Sequence, residues 1–314
     1  MESLQRPVIL ILGAGAVGLS LAGKLGNVAT VYAACRPVHA GAIREQGLVM
    51  EGVWGNGAVG GIGCVMGPEE VPPVVDFIIV TAKGTGTRAI CEEYAGVIRG
   101  RPVASLQNGI GNEEIIARYT DTVIGGTVTT NFSVVGPGHV RVQSESAPMR
   151  LGVWSGEAGE ALGRLIGIIR SASIPVEAND DIRSEKWGKA LLNIAVNPIC
   201  ALLRAPVRVA ADGNVRETVV ALIHETFAVA GAEGVRLPWA TADDYLDYLF
   251  SVQVPDFAAV YPSMYYDLRQ GRRTEIDLLN GYIACLGERH GIATPHNRCI
   301  AGLIRYAEAH QERS

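Results

Sequence analysis

Residues 7–26, PVILILGAGAVGLSLAGKLG, decide the fold. PVILIL is an apolar run of strand length, glycines interrupt it, and a helical pattern opens near Ala16, so the segment reads as one βα unit. Between strand and helix, GAGAVG matches G-x-G-x-x-G. Glycines at such a place permit a tight turn and let a pyrophosphate approach the helix N-terminus. Gly13, Ala14, Gly15, Ala16, Val17 and Gly18 are therefore the expected dinucleotide cradle. Only the strand-to-helix setting gives the motif weight, because the chain holds 38 glycines. A second run, GGIG at 60–63, is expected merely to turn a β-hairpin.

Outward from that unit, VATVYAACR supplies a second strand, and VVDFIIVTAK, PVASLQ and DTVIGG supply more. Helical patterns lie between them at TRAICEEYAGVI and NEEIIARY, and this alternation predicts a mostly parallel sheet. From Gly126 to Val153 the chain is richer in strand and turn residues; a helix near 157–171 and the strand IPVEA follow. After residue 178 the apolar spacing is helical almost throughout. The fold class is thus α/β: a Rossmann-type dinucleotide-binding domain over 1–178, then an all-helical domain over 179–314.

The whole composition suits a compact enzyme of two domains. Of 314 residues, 48% are hydrophobic and 19% charged, and the net charge of -5 is dispersed, which argues against a disordered chain and against a nucleic-acid partner. Six scattered cysteines without a C-x-x-C point to a reducing cytoplasm, and the six histidines form no metal-ligand pattern, so no metal is expected. The N-terminal apolar run is broken by Gly13 and Gly15 well short of a membrane span and lacks a signal-peptide cleavage pattern. A homodimer is compatible with the sequence.

Candidate functional residues fall into two groups. At the end of the second strand VYAACRP offers Arg36 and no acid, which favours NADPH over NADH, since a ribose 2′-hydroxyl calls for a carboxylate there and a 2′-phosphate for a cation. A solvated strand-end arginine is the alternative. Lys83 in VTAKG and Asn108 in LQNGIGN follow the next strands, at the ends where open α/β sheets bind ligands. The second group lies on SEKWGKALLNIAVNPI, residues 184–199. Lys189, Asn193 and Asn197 recur every four residues, which at about 100° per residue keeps them on one face of a helix that is otherwise apolar. A charge and two amides in a packed layer need partners or a ligand. Pro198 removes the amide that would bond the Ile194 carbonyl and is expected to kink or end this helix. Further on, Thr274 and Asp277 fit a helix N-cap with Glu275 in the first turn, and Ser263 could cap a turn or bind a substrate oxygen.

Together GAGAVG, VTAK, QNGIGNEE, GPGHV, EKWGKALLNIAVNP, SMYYDLRQGRRTEIDLLNG and GIATP resemble the ketopantoate reductase (2-dehydropantoate 2-reductase) family, in its order and approximate spacing over nearly the whole chain. The resemblance implies a Rossmann domain joined to a helical domain like that of 6-phosphogluconate dehydrogenase. It implies NADPH-dependent reduction of 2-dehydropantoate to pantoate, a step of pantothenate and coenzyme A biosynthesis, with a small 2-keto acid as substrate. Carried over residue by residue, it makes Lys189 the catalytic acid with Glu275 beside it. Asn108, Asn193, Asn197 and Ser263 would hold the substrate, while Arg36, Lys83, Asn108 and Glu275 would serve the cofactor. Two segments depart from the family: Val260 stands where some members have an Asn three positions before the serine, and Asn131 and Phe132 replace small residues. The competing readings are a reductase of another 2-keto acid, a β-hydroxyacid dehydrogenase and a non-enzymatic NADP-binding sensor. The second amide at 197 and the RRTEID block argue against the dehydrogenase, and a sensor has no need of Lys189 and Glu275 together.

Overall fold

The computed structural model describes residues 6–310. By its internal contacts the chain divides into two units, one running through Asn108 and resuming over Asn112–Ile182, the other made of Gly109–Gly111 and the chain from Arg183.

The first unit opens with β1 (Val8–Leu12), α1 (Ala16–Leu25), β2 (Thr30–Ala34), α2 (Pro37–Gln46), β3 (Leu48–Gly52), β4 (Gly57–Val59), β5 (Gly63–Val65) and β6 (Phe77–Val80). It continues with α3 (Thr87–Glu93), α4 (Ala95–Ile98), β7 (Val103–Ser105), α5 (Asn112–Ile116), β8 (Val123–Thr127), β9 (Thr130–Gly136) and β10 (His139–Glu145). β11 (Met149–Ser155), α6 (Gly159–Ser171) and β12 (Val176–Ala178) complete it. Eight strands form one sheet in the order β12-β11-β8-β7-β6-β1-β2-β5. Neighbours run parallel except β8 and β11. Ile9, Leu10, Ile11 and Leu12 of β1 are each 0% exposed. Burial on both faces is why this strand reads as a continuous apolar run and not as an alternation. The chain crosses from one side of β1, at β2, to the other, at β6, so the GAGAVG turn sits at the sheet's topological switch point.

Two local expectations fail for identifiable reasons. GGIG turns no hairpin: it carries the chain from β4, which pairs antiparallel with β3 in a separate four-stranded sheet (β4-β3-β10-β9), to β5, which pairs parallel with β2. The pattern TRAICEEYAGVI gives two helices and not one, because Tyr94 at φ -97°, ψ 17° leaves helical geometry between α3 and α4.

The second unit contains α7 (Ile182–Leu203, whose first residue closes the first unit), α8 (Gly213–Ala232), α9 (Ala242–Tyr248), a π-helical turn (Leu249–Gln253) and α10 (Val254–Asp256). α11 (Ser263–Arg269), α12 (Asn280–His290) and α13 (Pro295–Ala309) follow. Trp187, Leu191, Ile194, Ala195, Val196 and Cys200 of α7 join Leu222, Ile223, Tyr245, Ile283 and Leu286 in one core. Each large aliphatic side chain removed from water there contributes roughly 1.5–3 kcal/mol. α7 does not end at Pro198 but runs five residues further, to Leu203. The Ile194 carbonyl, deprived of its usual helical donor, accepts a bond from Asn280 Nδ2 at 3.0 Å. Asn280 Nδ2 also donates to Asn297 Oδ1 at 3.0 Å, and Asn297 Nδ2 donates to Glu225 Oε2 at 2.8 Å and to the Leu222 carbonyl at 3.2 Å. This buried polar chain ties α7, α8, α12 and α13 together. Among the described residues no helix is long and apolar enough to cross a membrane.

Candidate active site

The glycine turn of the first unit is shaped by close backbone packing. Gly13 has φ +110°, and a Cβ on it would lie 2.2 Å from the Ala82 nitrogen; a Cβ on Gly18 would lie 2.2 Å from the Gly13 carbonyl and 2.5 Å from Thr81 Oγ1. Thr81 Oγ1 donates to the Gly13 carbonyl at 2.7 Å, which fastens the turn to the end of β6. Gly15 differs: it is exposed, and a Cβ there would meet nothing within 4 Å. Two glycines therefore serve packing, while the third leaves open space in front of the first turn of α1. That is the shape a pyrophosphate needs, with unpaired amides of a ten-residue helix aimed at it and no acid in the first turn to oppose it.

Arg36 follows β2, exposed, as the N-cap residue of α2, with Pro37 opening the helix. Lys83 is exposed at the start of a tight turn after β6, and Asn108 is exposed after β7. A network that sequence reasoning missed holds these two loops in register. Gln107 Nε2 donates to the Ala82 carbonyl and to Thr87 Oγ1, both at 2.8 Å. Thr87 Oγ1 donates to Asn112 Oδ1 at 2.7 Å, and Asn112 Nδ2 donates to the Asn108 carbonyl at 2.9 Å. The signal was available in LQNGIGNEE, where polar residues flank a strand that is otherwise apolar.

In the second unit, Lys189 and Asn193 are half-buried on α7 and Asn197 is 7% exposed. The flanking Ala190, Leu191, Ile194, Ala195 and Val196 are all buried. The line thus runs from half-buried Lys189 and Asn193 to buried Asn197 along a helix otherwise packed mainly by apolar side chains, and among the described residues neither Asn193 nor Asn197 spends its amide on a side-chain hydrogen bond. Burial pulls Lys189 down from 10.5 to about 8; Lys186 pushes it the same way, while Glu185 and Glu275 pull it back up. Glu275 and Lys189 are therefore brought within electrostatic reach of each other. Glu185 and Lys186 were missed by sequence reasoning, although Glu185 stands four residues before Lys189 in the spacing that pairs charges on a helix.

Glu275 does not lie in the first turn of a long helix. Thr274 Oγ1 accepts from the Ile276 amide at 3.2 Å, but only the 3-10 turn Ile276–Leu278 follows, and Asp277 pairs instead with Arg305 at 2.7 Å. α12 begins at Asn280, after Leu279 leaves helical geometry at φ -126°, ψ -108°. Ser263 is exposed as the first residue of α11.

Residues 9–156 match the family described as "Ketopantoate reductase PanE/ApbA", and residues 181–308 match "Ketopantoate reductase PanE/ApbA C terminal". The chain is 32% identical over 316 residues to a 2-dehydropantoate 2-reductase of Archaeoglobus fulgidus, covering 96% of this chain and 98% of the relative. Among solved structures, a PanE/ApbA family ketopantoate reductase from Ralstonia eutropha superimposes with a TM-score of 0.85 at 29% identity, covering 96% of this chain and 98% of that one. A ternary structure of D-mandelate dehydrogenase with NADH and anilino(oxo)acetate gives a TM-score of 0.81 at 25% identity, with coverage of 96% and 98%.

Proposed function

The chain belongs to the ketopantoate reductase family of oxidoreductases, and on that premise we propose that it reduces 2-dehydropantoate to pantoate with NADPH, in the cytoplasm, as a step of pantothenate and coenzyme A biosynthesis. One observation carries the reading: the Lys189 ammonium, lowered to about 8 by burial and within electrostatic reach of Glu185 and Glu275, heads a line with Asn193 and Asn197, whose amides make no side-chain hydrogen bond among the described residues.

Reduction of a ketone leaves negative charge on its oxygen, so the site needs a proton donor aimed at that atom. Bound nicotinamide supplies the hydride. Lys189 supplies the proton, and its lowered pKa makes it a far better acid near neutrality than a free lysine. Glu275 and Glu185 keep enough of it charged to act. Asn193 and Asn197 offer amide donors to the keto acid, with Ser263 as a further polar contact of the same unit. The open cradle at Gly15 fits the pyrophosphate, Lys83 serves the cofactor from the end of β6, and Arg36 fits the 2′-phosphate of NADPH, because a guanidinium matches phosphate and no acid follows β2 to claim a ribose hydroxyl.

A second reading, reduction of another 2-keto acid, is favoured by the likeness to D-mandelate dehydrogenase, which was solved with NADH and anilino(oxo)acetate. The deciding experiment is kcat/KM for a panel of 2-keto acids, each with NADPH and with NADH. The proposal expects 2-dehydropantoate with NADPH to lead. Preference for phenylglyoxylate with NADH would overturn it in favour of the second reading.

A further inference from the structure

β5 is the edge strand of the large sheet, only three residues long and paired parallel with β2 in the register Tyr32↔Gly63, Ala33↔Cys64 and Ala34↔Val65. The Cys35 amide prolongs the ladder, donating to the Val65 carbonyl at 3.1 Å. Side chains alternate along strands, so Ala33, Cys35 and Cys64 share one face, and there the thiols of Cys35 and Cys64 lie close enough to shift each other's ionisation. Arg44 of α2 donates to the carbonyl of Cys64 itself at 3.2 Å, which fixes a cation beside the pair. Cys64 is half-buried, whereas Cys35 is 8% exposed, so a small solute reaches Cys64 first.

The Cys35 sulfur beside it draws the Cys64 thiol below its ordinary range; burial opposes this and Arg44 assists it. The neighbouring Cys64 sulfur pushes Cys35 up, as do burial and Glu70, with Arg44 opposing. One sulfur is thus disposed to be a thiolate, and the other remains protonated next to it. An accessible thiolate beside a cation and a second thiol is the arrangement that reacts with peroxides and then resolves to a disulfide.

We propose that Cys64 and Cys35 form a peroxide-reactive dithiol that closes to a disulfide next to Arg36 and thereby weakens cofactor binding; the effect on the cofactor rests on the assignment of Arg36 to the NADPH phosphate. The Cys64 thiolate attacks one oxygen of hydrogen peroxide, the O–O bond breaks, and the departing hydroxide takes a proton to leave as water. The Cys35 sulfur then attacks the Cys64 sulfenic acid, the S–O bond breaks, and the Cys35 proton leaves with the hydroxyl as a second water. Two thiols lose two electrons to one peroxide, and an external dithiol reverses the change.

The strand register sets the cysteines two positions apart along the sheet, and disulfide-bridged Cα atoms are rarely more than about 7 Å apart, so closure draws β5 along β2. β5 is suited to that movement, being short, at a free edge and bounded by Gly60, Gly61 and Gly67. Cys35 is covalently joined to Arg36, the N-cap residue of α2, so a pull on the first displaces the second.

The test treats the full chain, Cys64→Ser and Cys35→Ser with hydrogen peroxide, blocks free thiols, and maps linked peptides by mass spectrometry before and after dithiothreitol. Wild type should yield a reducible 35–64 link, neither variant should, and Cys35→Ser should trap a dimedone adduct on Cys64. The oxidised wild type should show KM for NADPH raised about tenfold, with kcat and the KM of the keto acid unchanged. Oxidation of the exposed Cys285 and Cys299 with Cys35 and Cys64 left free would overturn the dithiol. A 35–64 link without a change in KM for NADPH would overturn its coupling to the cofactor. Arg36→Ala separates the two failures: if that variant also leaves KM for NADPH unchanged, the fault lies in the cofactor assignment, and if it raises KM, in the mechanical link.

Discussion

The alkaline limb of the pH–rate profile should belong to Lys189, and its neighbours should move it in opposite directions. With a pKa of about 8 in place of the ordinary 10.5, the lysine is about nine-tenths charged at pH 7 and about one-tenth charged at pH 9. Ketone reduction requires the charged form, so kcat/KM for the keto acid should be level below pH 7 and fall about tenfold per pH unit above 8. Oxidation of the alcohol requires the neutral form and should rise over the same range. Burial is the largest cause of the lowering, followed by Lys186, with Glu185 and Glu275 opposing. Lys186→Gln removes a repelling cation and should carry the limb to higher pH, whereas Glu185→Gln removes a supporting anion and should carry it to lower pH. The assay is initial-rate kinetics from pH 6 to 10 for wild type and both variants. A limb that stays in place in both variants, or moves the same way in both, would refute Lys189 as the titrating acid.

Lys189→Met should abolish turnover yet raise Tm: the folded pKa lies below the unfolded one, so the native state at pH 7 carries a cost of at most about 3 kcal/mol for its ammonium, as calorimetry can check. That cost fades as pH rises from 8 to 10.5, so the difference in Tm between variant and wild type should narrow over that window. Gly18→Ala should destabilise the first unit by about 1–3 kcal/mol in chemical denaturation, because the added carbon collides with the Gly13 carbonyl, while Gly15→Ala should keep wild-type stability and raise KM for NADPH. Ser173, at φ +57°, closes α6 with the Ile174 amide donating to the Ile169 carbonyl at 3.3 Å, and Ser173→Gly should stabilise by about 0.5–1 kcal/mol in the same measurement. Buried His39 accepts from the Gly138 amide through Nδ1 at 3.1 Å, and burial, then Arg36, lowers its pKa from 6.5. The unfolded chain therefore binds the extra proton first, and stability should fall as pH drops below 6.5 in wild type but not in His39→Asn, which keeps an acceptor.

Much of this was legible from spacing alone. PVILIL followed by GAGAVG announced a buried central strand and its turn, because both signals are local and rest on backbone sterics. The four-residue recurrence of Lys189, Asn193 and Asn197 likewise announced a line on one helix face. The second sheet was not legible: whether GGIG reverses a hairpin or carries the chain into another sheet depends on which distant strand β5 meets, here β2. The role of Asn280 was hidden for the same reason, since the carbonyl it satisfies lies 86 residues earlier. Glu185 could have been found, because its partner is one helical turn away.

Pro198 and Asn280 also constrain the order in which this helix can change over descent. A carbonyl oxygen has two lone pairs, so Pro198→Ala returns a main-chain donor to Ile194 without evicting Asn280. Losing Asn280 first, while the proline remains, strands a buried acceptor at roughly 1–3 kcal/mol. One route is open and the other is steep, so the asparagine is entrenched for as long as its distant companion persists.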